Sequence, residues 1–264
     1  MTSAERMAAL INGDKPDRVP CVPFLSGHCA VVCGQPIARI YDDPEISFKC
    51  QVLTQELYGY DASPLYAYAS AGGWEFGGEI EFPTKKYSGA PVVARHPVQS
   101  EEDALKLEVP KDVTKAGAIP LALQFSRLQA KHGMPVTIQV GSPFTWAGSI
   151  IGEDRMLVWM IKKPEIVHHV LGKVKEFLLN VAYFWVKEFG AEKIMAFDGG
   201  PTESNRLISP KQFETFALPY VKEIHEKVSD MGVPLFFSHI CGEQNKNLQF
   251  WQKLPYGKRG ILSF

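Results

Sequence analysis

The segment FFSHICG, Phe236 to Gly242, ends an apolar run with an imidazole and a thiol two positions apart. In extended backbone, residues i and i+2 point to the same side, so His239 and Cys241 can converge on one object. Zinc suits that donor pair, and a catalytic zinc takes three protein ligands and leaves a fourth position open. The structural use of the same residues is a Cys241 packed as a small apolar side chain beside a hydrogen-bonded, strand-end His239.

Asp198, in MAFDGG, stands at the matching point of the preceding strand-like run. A carboxylate there can bind substrate, ligate a metal or orient a ligand imidazole; it can also simply cap the following loop. GSPFTWAG, Gly141 to Gly148, brings glycines, hydroxyls and the rings of Phe144 and Trp146 to a wall that suits a flat ligand. It lacks the spacing of a phosphate-binding loop. His28, Cys29 and Cys33 in SGHCAVVCG form a second group of soft donors. Their spacing, with no second Cys pair, favours thiols buried as apolar side chains over a structural zinc. Between Tyr60 and Pro97 lie Tyr60, Tyr66, Tyr68, Trp74 and Phe76, with Asp61, Glu75, Glu79 and Glu81 among them. The rings either line a pocket for an aromatic substrate, Tyr68 included, or pack the segment. Asp61, Glu75, Glu79 and Glu81 are candidate acids, bases or extra ligands. His168 and His169 read as a surface pair on a long helix.

The elements that must position these groups alternate. Helices are expected from Ser3, with Ser3 as cap, to Asn12, and over Asp43 to Tyr58, with Asp43 as N-cap, Pro44 at the first position and Ile46, Cys50, Leu53 and Leu57 on one face. VPCVPF reads as a short extended segment between them, and EIEF and PVVARHP as short strands or a hairpin decorating one end of the fold. From residue 117 the pattern is regular: a helix to His132, strand PVTIQV, a helix opened by GSPFTWAG, and helices near Asp154 to Met160 and over Pro164 to Phe189. Strand KIMAFD, helix Pro210 to Met231, strand VPLFFSH and strand GILSF follow. Short apolar strands alternating with helices specify a parallel α/β fold with strands buried on both faces. Glycines and polar residues gather in the strand-end loops, as in a (β/α)8 barrel whose site lies at the C-terminal face. A single domain over 1–264 is expected.

With 29 acidic and 28 basic side chains in 264 residues, 45% of them hydrophobic, near-neutral charge gives no reason to expect nucleic acid or an anionic membrane as partner. The N-terminus lacks the apolar core of a secretory signal, and no run is long enough to cross a bilayer. Five unevenly spaced cysteines suit a reducing cytoplasm rather than a disulfide framework.

Taken together, ERMAALINGDKPDRVP, GSPFTWAG, FDGGP with LISPKQFETFALPYVKEI, and FFSHICG resemble the uroporphyrinogen decarboxylase superfamily, and within it the corrinoid-dependent methyltransferase branch. The resemblance runs from about Glu5 to the last residue. Decarboxylases of that superfamily carry an Arg-rich segment near the N-terminus that holds tetrapyrrole carboxylates; here Val19 to Ile37 contain no Arg or Lys, so those counter-charges are missing. For the methyltransferases the resemblance implies zinc held by His239, Cys241 and one later Cys. No Cys follows Cys241, so the expectation is either a barrel cut short at its C-terminal end or a site completed by Asp198, Glu81 or Cys29.

The resemblance also implies cobalamin carried by a separate corrinoid protein, and a small methyl donor or acceptor: a thiol such as coenzyme M, or a methoxyaromatic ether in O-demethylation. Asp198 and Glu81 then serve as catalytic carboxylates, and Tyr68, Phe144, Trp146 and Asp198 contact substrate; a homodimer is compatible. A tetrapyrrole decarboxylase and a non-catalytic ligand-binding barrel are the competing readings.

Overall fold

A computed structural model describes residues 1–68, 70–85 and 89–263. Its contacts fall into two compact units, one of Met1–Ala69, Glu81–Val92 and Leu121–Pro135, the other of Ser70–Ile80, Val93–Pro120 and Val136–Phe264. Phe264, the end of the expected last strand, lies outside the described residues.

The first unit is built on helices. α1 (Ser3–Asn12) is capped by Thr2, not Ser3: the Thr2 hydroxyl accepts from Glu5 N–H while the Glu5 carboxylate accepts from Thr2 N–H, and Gly13 closes the helix in the left-handed region. α2 (Ser26–Val32), α3 (Arg39–Asp42) and α4 (Pro44–Tyr58) follow. Asp43 caps α4 as expected, its Oδ1 accepting from Glu45 N–H at 3.1 Å and Ile46 N–H at 3.0 Å. Asp43→Ala should therefore cost about 1 kcal/mol, read as a shift in the urea midpoint at constant slope.

The expected buried face of α4 needs correcting. Leu53 and Leu57 are exposed, whereas Ser47, Phe48, Cys50, Gln51 and Thr54 face inward. The polar members are inside because they serve backbone groups: the Gln51 amide exchanges two hydrogen bonds with Leu65, and Thr54 Oγ1 donates to the Cys50 carbonyl.

VPCVPF forms no regular strand; it is held instead by Asp61, whose N–H donates to the Cys21 carbonyl and whose Oδ2 accepts from Cys21 N–H. Asp61 also accepts from Arg6 at 2.6 Å and Arg18 at 2.7 Å, and Arg6 grips Asp17 through two nitrogens. Burial alone would raise the Asp61 pKa, but these donors win and hold it to about 2. The N-terminal motif and Asp61 are thus one structural clamp, and Asp61 is not an acid, base or ligand in reserve.

β1 (Glu79–Glu81) and β2 (Val92–Arg95) pair as the expected two-stranded sheet. α5 (Glu101–Leu105) and α6 (Ile119–Lys131) precede the regular part of the chain.

In the second unit four parallel strands run β3 (Val136–Gln139), β4 (Ile194–Gly199), β5 (Leu235–His239), β6 (Arg259–Ser263) in spatial order. α7 (Pro143–Ile151), α8 (Glu153–Lys162) and α9 (Pro164–Phe189) connect β3 to β4. The short α10 (Pro210–Gln212) and α11 (Leu218–Asp230) connect β4 to β5, and α12 (Leu248–Trp251) precedes β6. The parallel α/β class is borne out; among the described residues the sheet has two edges, β3 and β6, and the barrel is not closed.

The expected single helix from Pro210 to Met231 is interrupted by a π-helical segment, Phe213–Ala217. Pro219 supplies the reason: it has no N–H to donate and its ring crowds the carbonyl four residues back, so the ladder widens there.

Strand alternation separates two environments. Val136, Ile138, Ala196, Phe236 and Ile240 lie on the helix-covered face and are almost wholly buried, whereas Thr137, Gln139, Met195, Leu235 and Ile261 are half-buried. The expectation of strands buried on both faces therefore holds in full for one face; on the other, Phe197 and Phe237 are buried while their neighbours are half-exposed. α9 contributes ten buried residues from Ile166 to Trp185, each large apolar one stabilising by roughly 1.5–3 kcal/mol.

Candidate functional site

The C-terminal ends of β4 and β5 carry the chemistry. Parallel pairing sets Phe197 beside Phe237, Asp198 beside Ser238 and Gly199 beside His239. Residues paired across neighbouring strands share a face. The Phe197 and Phe237 rings stack with centroids 5.8 Å apart, and His239, two positions beyond Phe237, continues that half-buried face. Its Nδ1 lies 3.2 Å from Ser263 Oγ on β6. Burial lowers the His239 pKa, which favours the neutral imidazole that a metal requires. Cys241 is half-buried, and burial followed by the neighbouring Glu203 carboxyl pushes its thiol up. The Gln244 amide donates to the Cys241 and Gly200 carbonyls, both at 3.2 Å, and Trp251 Nε1 donates to Gln244 at 3.2 Å. The loops after β4 and β5 are thereby laced together: Ser204 Oγ accepts from Glu243 N–H at 3.1 Å, and Asn247 donates to the Glu203 carbonyl at 2.9 Å.

Asp198 points the other way. Its Oδ2 lies 2.6 Å from Nε2 of His225 on α11, and the His225 ring stacks on Phe236, which belongs to the helix-covered face. Asp198 therefore neither orients His239 nor completes a ligand set with it. Among the described residues, no group of three or more His, Cys, Asp or Glu is arranged to hold a metal ion. His239 and Cys241 fit zinc in donor type, but Asp198, engaged with His225 on the opposite face, does not supply the third ligand.

The other expected site residues fall as follows. Phe144 and Trp146 are buried in α7; the Trp146 indole lies against Gly141, where positive φ and the absence of a Cβ allow the contact. They form the wall after β3 from within rather than its exposed surface. Tyr68 and Glu81 belong to the first unit, Tyr68 packed against its core and Glu81 exposed on β1. The remaining candidates are structural. Glu75 accepts from Gly72 and Ala118 backbone N–H groups, Glu79 pairs with Arg95, and Phe76 packs on the edge of Phe177. His168, read as a surface residue, is half-buried, stacks on Phe216 and hydrogen-bonds Tyr220 at 2.9 Å.

Two buried ionisable residues beside the candidate site escaped sequence reasoning. Glu203 is fully buried, with its carboxyl against the hydroxyls of Ser142 and Thr145 at the start of α7. Burial, reinforced by Asp198, raises its pKa to about 8 despite the Thr145 hydrogen bond, so it is mostly protonated at neutral pH. Its signal was a glutamate among Gly, Ser and Thr five residues beyond Asp198. His225 sits on the apolar stripe of α11 with Val221, Ile224 and Val228, a position where an imidazole needs a partner.

The family model for uroporphyrinogen decarboxylase matches residues 2–260, and the chain belongs to that family. A methylcobamide:CoM methyltransferase of Methanosarcina barkeri is 27% identical over 92% of this chain and 70% of its own length. A uroporphyrinogen decarboxylase of Myxococcus xanthus is 31% identical, but over 53% of this chain and 40% of its own length. A solved methyltransferase from Methanosarcina mazei superposes with a TM-score of 0.79 at 25% identity, covering 97% of this chain and 75% of that one. Within the family the chain stands with the methyltransferases, the branch its motifs resemble.

Proposed function

We propose that this methyltransferase moves a methyl group between a corrinoid protein and a small substrate, with His239 and Cys241 as two protein ligands of a zinc ion. The observation that carries the reading is the pair's position at the C-terminal end of β5, on the half-buried face, in a chain whose likeness to methyltransferases extends over more than nine-tenths of its length. When bound, zinc supplies Lewis acidity, lowering the pKa of a substrate thiol or drawing electron density from an ether oxygen.

The chain's own residues prepare the place. Neutral His239 presents a lone pair, and Gln244 fixes the backbone at Cys241. The stacked Phe197 and Phe237 give a flat apolar floor. The lack of Arg and Lys from Val19 to Ile37 argues against tetrapyrrole decarboxylation, whose substrate needs several counter-charges. Coenzyme M is named for the relatives; for this chain a thiol and a methoxyaromatic ether are both candidate substrates, and a single barrel-type domain within 1–264 that works with a corrinoid partner belongs to the same proposal.

Elemental analysis of the purified protein is the test. One zinc per chain is expected in the wild type, and its loss in both His239→Ala and Cys241→Ser. Metal-free wild type after reconstitution with zinc at neutral pH would sink the assignment. Methyl exchange with methylcobalamin, offered thiols and methoxyaromatics in turn, then names the substrate.

A further inference from the structure

We propose that Cys33 and Cys50 form a reversible dithiol–disulfide site in the first unit, separate from the methyl-transfer chemistry. The sequence placed Cys29 and Cys33 one helical turn apart; the fold adds Cys50 from a second helix. α2 packs on α4, and Cys29 and Cys50 are buried in one apolar cluster with Ile37, Ile40 and Tyr41, with Cys33 half-buried against it. Cys33 Sγ lies 3.8 Å from the Cys50 carbonyl oxygen, and its thiol neighbours the Cys50 side chain.

The three sulfurs have different surroundings. Cys29 is buried, and burial raises its thiol pKa. Burial, with the Cys33 thiol beside it, pushes Cys50 up to about 12, so it is a poor first nucleophile. Cys33 is the member of the group with access to solvent.

The oxidant is a small disulfide such as oxidised glutathione. Cys33, as thiolate, attacks one sulfur of that disulfide, forming a mixed disulfide and expelling one glutathione thiolate, which takes up the proton Cys33 released. Cys50 then attacks Cys33 Sγ, forming the Cys33–Cys50 bond and expelling the second glutathione, whose sulfur takes up the proton Cys50 loses. Two protein thiols are oxidised by two electrons and one small disulfide is reduced to two thiols. The bond would tie the C-terminal end of α2 to the middle of α4.

The whole chain is equilibrated with mixtures of reduced and oxidised glutathione, quenched in acid, alkylated and cut with trypsin, which separates Cys33 from Cys50 at Arg39 and Lys49. A peptide pair joined through Cys33 and Cys50, lost on adding excess reduced glutathione, is expected; it should persist in Cys29→Ser and vanish in Cys33→Ser. Accumulation of a glutathione adduct on Cys33 with no internal link overturns the proposal, as does a link through Cys29 or Cys21. The wild-type peptide map decides even if a variant folds poorly. Zinc content at His239 and Cys241 is read separately, so failure of either proposal is distinguishable from failure of the other.

Discussion

Glu203→Gln should abolish most of a steep loss of stability that the wild type shows between pH 5 and pH 8. In the unfolded chain a glutamate ionises near 4.5; in the folded protein burial holds Glu203 at about 8. Below the unfolded pKa both states carry the proton and the contribution is complete. As pH rises through the interval, the unfolded state releases a proton that the native state keeps. Stability then falls by about 1.4 kcal/mol per pH unit until the native group itself ionises near pH 8, a total on the order of 3–5 kcal/mol.

Burial, not the hydrogen bonds, favours the protonated carboxyl. Thr145 Oγ1 accepts from Thr202 N–H while donating to Glu203 Oε2, and Ser142 Oγ donates to Glu203 Oε1. Glutamine keeps the shape and can accept from one of these hydroxyls and donate to the other without titrating. Urea unfolding of both proteins at pH 5 and pH 8 reads the effect. Parallel pH profiles for wild type and variant would show that Glu203 ionises normally and reject this account.

His225→Leu is expected to destabilise the protein by about 3–5 kcal/mol, the cost of stranding a buried carboxylate. The Pro255 carbonyl, 2.8 Å from His225 Nδ1, can only accept, so Nδ1 must carry a proton. One further proton then lies between Nε2 and Asp198 Oδ2, on either side of a 2.6 Å contact. Asp198 Oδ1 has no hydrogen-bond partner among the described residues, so removing His225 leaves the whole carboxyl unpaired in a site that water does not reach. An apolar replacement of both partners avoids that penalty. The double variant Asp198→Leu/His225→Leu should accordingly lose less than the sum of the single variants, with a coupling of at least about 1 kcal/mol. Strict additivity in this cycle would mean that the two residues do not act as a pair.

Much of the fold was legible because it is local. The spans of β4 and α9, the Asp43 cap and the strands bearing Asp198 and His239 follow from hydrophobic period, caps and glycine stops, each decided within a few residues. The His239 and Cys241 pair was legible for the same reason, since an i, i+2 spacing in extended backbone needs no knowledge of the rest of the chain.

What the sequence by itself determined is therefore the order of the elements, the parallel α/β class and the placing of polar residues at strand ends. Only the tertiary structure decided which sheet face each of those residues serves, because that depends on which helix packs where. α11 brings His225 under β4 and so turns Asp198 from an apparent companion of His239 into half of a buried pair on the opposite face. α7 carries Ser142 and Thr145 to Glu203, and α2 lies on α4 so that Cys33 meets Cys50. Such pairs are separated by 17 to 61 residues in the chain, and the energy that settles their ionisation comes from burial, which no local spacing encodes.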